Sequence, residues 1–340
     1  MTRSIAYLSR TAGRHDDSIV AALRSSGDRV EVLAPGRPED AIDALRSGPA
    51  PDLVVAGPLT DALPLATKAA VAPVLGMSWA FDVLIETRDP AVRDGTARAL
   101  DRTRWVHTDC AAVRAEVVAL GFPEDRVSVA AWGIDLGFFR RADGTRREVR
   151  RRLGVPDDAV VVLSNRSWEP VYDIETVVRG VARARRRHPE LLLVLAGAGS
   201  QADAIAGEVA DHELGDACRT PGVLGRPELL AWLQAADVFV SAAHSDGASL
   251  SLLEALACEV TPVVADVGGN AELIGSDDVG RLFRVGDAEH LADRLEEVLA
   301  PDFAQAGHGE RLRARARERG DGPRNTGLLL AAVRTAAVQP

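Results

Sequence analysis

The sequence is short of cysteine, lysine, aromatic residues and long apolar runs, and each shortage removes a class of answers. Cys110, Cys218 and Cys258 are odd in number and far apart, so neither a disulfide framework nor a zinc-binding spacing follows. No stretch approaches the ~20 consecutive apolar residues that cross a bilayer. The opening MTRSIAYLSRTAG lacks the apolar centre of a secretory signal, and a cytoplasmic location is expected. The net charge of -10 argues against a general nucleic-acid or membrane-surface binder, which needs a basic face. Lys68 is the single lysine among 40 basic residues, an imbalance that points to a G+C-rich bacterial genome rather than to chemistry. Two arginine-rich stretches, RARRRHPE from 183 and RLRARARERG from 311, read as solvated helix faces, with peripheral membrane docking as the alternative. No G-x-G-x-x-G follows the first apolar run, which disfavours a NAD-dependent dehydrogenase.

What is present is a repeated alternation. Short apolar runs (SIAYLS, RVEVLAP, DLVVAGP, APVLGMS) are separated by helical stretches, and the pattern restarts at AVVVLSN (159 to 165). It continues through a helix at about 174 to 187, LLLVLAGAG (191 to 199), DVFVSAA (237 to 243) and VTPVVAD (260 to 266). Strands this apolar, spaced by helices, indicate parallel sheets covered on both faces. The 340 residues accommodate two such α/β domains, each doubly wound and Rossmann-like. Expected boundaries are 1 to 142, a polar linker at about 137 to 148, 148 to 310, and a helical segment 311 to 340 packing back on the first domain. Ligands of open α/β sheets bind beyond the carboxyl ends of the strands. Two such domains facing across a cleft suit a two-substrate transferase.

One stretch concentrates the chemistry. SDGASLSLLEALACE, residues 245 to 259, runs from a polar loop after a buried strand into an apolar helix. Its loop delivers backbone N–H groups to a helix N-terminus, where the free donors and the helix dipole attract phosphate. Gly247 and Ala248 permit close approach, and Ser249 and Ser251 add hydroxyls. Asp246 precedes the first turn and Glu254 lies about five residues in, ~8 Å along the axis. Two acceptors so placed suit the hydroxyls of a nucleotide sugar on either side of its diphosphate. The alternative is a capping Asp246 and a solvent-facing Glu254.

SDGASLSLLEALACEVTPVVADVGGNAELI resembles the donor-site signature of the retaining family-4 glycosyltransferases of the GT-B fold: an acidic residue, seven others, Glu, a small-residue strand, then a Gly-Gly-x-x-Glu turn at 268 to 272. SWAFDVL (78 to 84), residues 107 to 139, RSWEPVYDIETVV (166 to 178) and LLLVLAGAGS (191 to 200) fall in the family's order, so the resemblance spans about residues 70 to 290. It implies Glu254 on the ribose hydroxyls, Asp246 on a donor-sugar hydroxyl, the amides from Gly247 through Ala248, Ser249 and Leu250 to Ser251 on the distal phosphate, and Arg166 on the diphosphate. Arg226 is a candidate second phosphate contact and His244 a candidate donor contact; a helix flank and a solvated loop are the respective alternatives. On the acceptor side the resemblance points to Gly13, Arg14 and His15 after the first strand and to Trp79 and Asp82, with core packing and helix capping as the alternatives for the last two.

Three departures stand out. Asp246 replaces the more usual Glu, shortening the reach by a methylene. Val171 and Tyr172 stand where a lysine usually follows the diphosphate arginine. Glu259 stands where glycine is usual. HTDC (107 to 110) is not a Cys–His nucleophile pair, because neighbouring strand residues point to opposite faces.

The implied activity is transfer, with retention, of a sugar from a UDP- or GDP-linked donor to a small-molecule or glycan acceptor. No metal or organic cofactor and no nucleic-acid partner are expected. A nucleotide-sugar epimerase and a non-catalytic nucleotide-sugar-binding subunit remain as alternatives.

Overall fold

The computed structural model describes residues 2–9, 14–34, 36–141 and 146–338, without the side chains of residues 14 and 15. Two compact units divide it: Met1–Trp132 with Pro323–Pro340, and Gly133–Gly322. The first division thus falls ten residues before the expected end of the first domain at 142. Among the described residues, each unit holds one six-stranded sheet whose neighbouring strands all run parallel.

Unit 1 contains β1 (Ser4–Leu8), β2 (Arg29–Leu33), β3 (Leu53–Ala56), β4 (Val74–Met77), β5 (Trp105–Thr108) and β6 (Val127–Val129), in the order β2-β1-β3-β4-β5-β6. β3 and β4 are buried along their whole length, as strands covered on both faces must be. On one face, the helix Gly322–Ala337 sets Leu329, Ala332, Val333 and Ala336 against Ile5, Tyr7, Leu53 and Val55.

Unit 2 contains β7 (Val160–Ser164), β8 (Leu191–Leu195), β9 (Cys218–Arg219), β10 (Val238–Ser241), β11 (Thr261–Ala265) and β12 (Arg281–Phe283), ordered β12-β11-β10-β7-β8-β9. The helix Ile174–Arg185 shows how sequence makes a layer. Asp173 caps it by accepting from Thr176 N, and Ile174, Val177, Val178, Val181 and Ala184 form one buried stripe at helical spacing. Gly180 lets the helix Ala288–Leu299 approach closely, since a Cβ there would lie 2.6 Å from Leu291 Cδ2.

The second arginine-rich stretch corrects the expectation of a solvated face. It forms the helix His308–Gly320 inside unit 2, so only the residues from 323 onward return to unit 1. Arg313 donates to the carbonyls of Ala257 (2.6 Å), Leu136 (2.9 Å) and Phe139 (3.2 Å), and Arg315 to those of Leu273 (2.9 Å) and Glu272. These cations cap the carboxyl ends of the helices Leu250–Ala257 and Gly268–Ile274, where the dipole is negative.

Candidate functional site

In unit 2 the strand order reverses between β7 and β10, with β8 and β9 on one side and β11 and β12 on the other. Such a switch point opens a crevice outside the carboxyl ends of the two strands. β7 leads there into Asn165 and Arg166, and β10 into the loop 242–249.

Arg166 is only 7% exposed, unusual for a residue that is always charged. Its Nη1 donates to Ser249 Oγ at 2.8 Å and its Nη2 lies 2.9 Å from Asp246 Oδ2. The guanidinium also stacks 4.3 Å from the centroid of the Tyr172 ring. Two segments, the loop 242–249 and the stretch 165–172 that follows β7, therefore fix one buried cation. Ser249 is the residue preceding the helix Leu250–Ala257, yet its side chain caps nothing; the hydroxyl faces Arg166 instead. Asp246 likewise serves Arg166 rather than acting as the helix cap.

His244 ties the loops together. Its backbone N donates to Val171 O at 2.8 Å, and its exposed ring places Nε2 2.9 Å from Asp173 Oδ2. The stretch that lacks the family lysine is thus anchored with Tyr172 against Arg166. Gly247, Ala248 and Ser249 are buried, whereas Leu250, Ser251, Asp246 and Glu254 are half-buried. Glu254 is flanked by the buried Leu252, Leu253, Ala255 and Leu256. Gly269 packs on this loop so tightly that a Cβ would lie 2.5 Å from Gly247 O.

Several buried polar atoms around these strand ends have no hydrogen-bond partner: the hydroxyls of Ser164, Ser241 and Ser245, Trp168 Nε1 and Arg166 Nε. Buried polar atoms are normally paired with protein or water, and these unpaired ones gather at the switch-point strand ends. Ser164 and Ser241 close apolar strands, a signal legible in AVVVLSN and DVFVSAA; Tyr172 carried none. Arg226 sits apart from this network in its contacts. It is exposed, stacks 4.7 Å from the Phe138 ring and lies 3.8 Å from Asp135 Oδ2.

In unit 1, Gly13 lies outside the described residues, and Arg14 and His15 begin the helix Arg14–Ser25 without described side chains. Asp82 is fully buried. Its carboxylate accepts from Ser78 Oγ (2.6 Å), Leu59 N (2.8 Å), Val83 N (3.1 Å) and Trp79 N (3.2 Å), which joins the loops after β3 and β4. Burial pushes its pKa up to about 6 against the pull of those hydrogen bonds. That enclosure makes Asp82 an anchor rather than an accessible base. Trp79 is half-buried, its ring seated on Gly57, where a Cβ would lie 1.6 Å away. His107 is buried, hydrogen-bonded through Nδ1 to Ser128 Oγ at 2.9 Å and not to Cys110. Among the described residues no group of three or more His, Cys, Asp or Glu is placed to hold a metal ion, and no helix is long and apolar enough to cross a membrane.

The sequence profile described as Glycosyl transferases group 1 matches residues 145–319, which include the whole Arg166 network. The chain is 31% identical over 241 residues to a D-inositol 3-phosphate glycosyltransferase of Pseudarthrobacter chlorophenolicus, covering 69% of this chain and 55% of that protein. It spans about half the length of the relatives it matches. Among solved structures, Anabaena HepE in complex with UDP-glucose aligns with a TM-score of 0.82 at 16% identity, over 98% of this chain and all of that one. Sucrose-phosphate synthase from Thermosynechococcus elongatus aligns with a TM-score of 0.81 at 18% identity, over 98% of both chains.

Proposed function

Because the chain belongs to the glycosyl transferases group 1 family, with the two-domain GT-B fold, we propose that it moves a glycosyl group from a UDP- or GDP-linked sugar to an acceptor hydroxyl with retention at the anomeric carbon. In this reaction the bond from the anomeric carbon to the diphosphate breaks, the bond to the acceptor oxygen forms on the same face, and the hydroxyl proton leaves with the diphosphate. Charge placement controls such a step more than any covalent nucleophile, because a dianionic leaving group and a cationic sugar separate in the transition state.

The observation that carries this reading is Arg166, a buried cation at the switch point beside the amides that open the helix Leu250–Ala257. An Arg fork suits phosphate oxygens. When a diphosphate arrives, its oxygens compete with Asp246 for the guanidinium, which releases that carboxylate for a donor-sugar hydroxyl. Glu254 holds the ribose hydroxyls and the amides of Gly247 to Ser251 the distal phosphate. Tyr172 replaces a second cation with a ring face, so the leaving group meets one side-chain positive charge here. The UDP-glucose carried by HepE supports the same donor class, and the glycosyltransferase names of the relatives support glycosyl transfer. No metal or organic cofactor is assigned, and a cytoplasmic location suits the donor.

A panel of nucleotide sugars read by thermal shift tests the reading. A bound donor raises apparent stability by mass action, about 2.7 kcal/mol at a hundredfold excess over Kd. A UDP- or GDP-sugar should raise Tm, and Glu254→Ala should shrink that rise. Acceptor-dependent release of nucleoside diphosphate then marks transfer. A sugar isomer as product marks an epimerase, and binding without turnover on any acceptor marks a non-catalytic subunit.

A further inference from the structure

In unit 2 an open cavity of about 440 Å³ lies at the carboxyl ends of β11 and β12, on the edge side of the strands that carry Arg166 and the loop 242–249. Phe283 and Val285 give it an apolar wall, and Asp266, Arg284, His290 and Arg294 supply its polar groups. The donor network of Arg166, Tyr172, Asp246 and Ser249 uses none of these six.

His290 holds an arrangement that the protein alone does not satisfy. From one side the backbone N of Arg284 lies 3.0 Å from its Nδ1, and from the other Arg294 Nε lies 3.0 Å from its Nε2. A neutral imidazole has one acceptor nitrogen and a charged one has none, so the ring does not accept from both. Burial, Arg284 and Arg294 hold the His290 pKa below its ordinary value, which keeps the ring neutral. The Arg284 amide is fixed in the backbone, so Nδ1 is the acceptor and Nε2 carries the proton. Nε2–H and Arg294 Nε–H are then two donors facing each other with no acceptor between them.

The neighbouring charges leave room for one. Arg284 gives Nε and Nη2 to Asp287 at 2.9 and 2.8 Å, and Arg294 gives Nη1 to Glu297, which Arg281 shares. Among the described residues, Nη1 of Arg284 and Nη2 of Arg294 have no partner. Glu289 is paired with Arg183, and the exposed Asp293 does not line the cavity. Asp266 is exposed at the end of β11, with its backbone N donating to Phe283 O at 2.9 Å. Its carboxylate repels a bare anion but accepts from a hydroxyl. A phosphomonoester meets both demands. Its terminal oxygens are set in a tetrahedron and accept from His290, Arg284 and Arg294 together, where a planar carboxylate offers two oxygens. The hydroxyls of its carrier suit Asp266, and the carbon chain suits Phe283 and Val285. The volume is that of a small-molecule site.

We infer that this cavity is an accessory site of unit 2 for a hydroxylated phosphomonoester, separate from the donor site, with the phosphate set between His290 and Arg294. The inference does not depend on the glycosyltransferase reading.

The test titrates the full chain with glycerol 3-phosphate, inorganic phosphate and glycerol at constant ionic strength, read by calorimetry. Glycerol 3-phosphate should bind, inorganic phosphate more weakly, and glycerol not at all. Arg294→Gln and His290→Ala should each weaken glycerol 3-phosphate about tenfold or more, the scale for a hydrogen bond to a charged group, whereas Arg166→Ala should leave this site unmoved. Asp266→Ala should bring glycerol 3-phosphate and inorganic phosphate to the same affinity. Tungstate soaked into crystals gives a second readout should Arg294→Gln not fold, and it should lie beside His290 Nε2. No binding to the wild type, binding that Arg166→Ala abolishes, binding that Arg294→Gln or His290→Ala leaves intact, or tungstate at Arg166 alone overturns the inference. A preference for glycerol 3-phosphate that survives Asp266→Ala overturns the hydroxylated ligand class.

Discussion

Unit 2 and unit 1 each bury a charged side chain beyond the carboxyl ends of their strands, and they treat it in opposite ways. Asp82 in unit 1 is saturated by four donors from its own two loops. Arg166 in unit 2 has two polar partners and a ring face, amid hydroxyls that have no partner among the described residues. Burying a charge is tolerable only when its hydrogen bonds are completed. Asp82 is completed by the fold, so it holds loops. Arg166 keeps Nε without a partner among the described residues, which is why the proposed diphosphate site is centred on it.

The largest effect expected separates these two roles. Arg166→Ala should lower donor-dependent kcat/KM by roughly 10²- to 10³-fold, the scale for losing one preorganised electrostatic contact. Asp82→Ala should instead cost about 2–3 kcal/mol of stability in urea denaturation, because three backbone N–H groups and a hydroxyl lose their acceptor. A donor affinity that falls as steeply in Asp82→Ala as in Arg166→Ala breaks the contrast.

The pH dependence sharpens it. His107, buried and neutral with its pKa pushed down to about 4, stabilises the fold fully above pH ~6.5, and this contribution is lost as pH falls toward 4. The loss reaches about 2 kcal/mol at pH 5, where the unfolded imidazole binds a proton that the folded one refuses. Asp82 runs the other way, because its raised pKa favours the fold below the ordinary carboxylate range and is a burden above pH ~6. His107→Asn keeps a partner for Ser128 and removes only the first effect. Its stability should fall less than that of the wild type between pH 7 and 5; parallel curves would contradict the assignment.

The smallest effect concerns Glu259, one of the three departures from the resembled signature. Its φ of 62° places it in the left-handed region at the end of the helix Leu250–Ala257, a position that suits a residue without Cβ. Glu259→Gly should therefore stabilise unit 2 by about 1 kcal/mol in thermal melting. Destabilisation would mean that the 3.9 Å ion pair with Arg141 outweighs the backbone strain.

Much of the fold was legible because buried parallel strands announce themselves. LLLVL is apolar throughout and SIAYL and TPVVA are so after their first residue, and each is a strand where the runs placed it. The sheet edges were harder to read. β6, β9 and β12 have two or three residues each, with half-buried positions that break the apolar run, so no periodicity could mark them. In the site, Arg166, Asp246 and the glycine loop come together as their motif order implied. What local sequence could not carry were pairings between distant segments: Tyr172 on Arg166, His244 on Asp173, and Arg313 on carbonyls as remote as Leu136 and Ala257. An arginine whose partner is a helix end far along the chain looks, in sequence, like one facing water.

The central claim is that the switch point of unit 2 grips a diphosphate through Arg166. A crystal structure with the best-shifting UDP- or GDP-sugar tests it most directly. The diphosphate should lie within hydrogen-bonding distance of the Arg166 guanidinium and the amides of Gly247 to Ser251, with Asp246 turned toward the sugar. A diphosphate bound elsewhere, or an Arg166–Asp246 pair left intact beneath a bound donor, would contradict it.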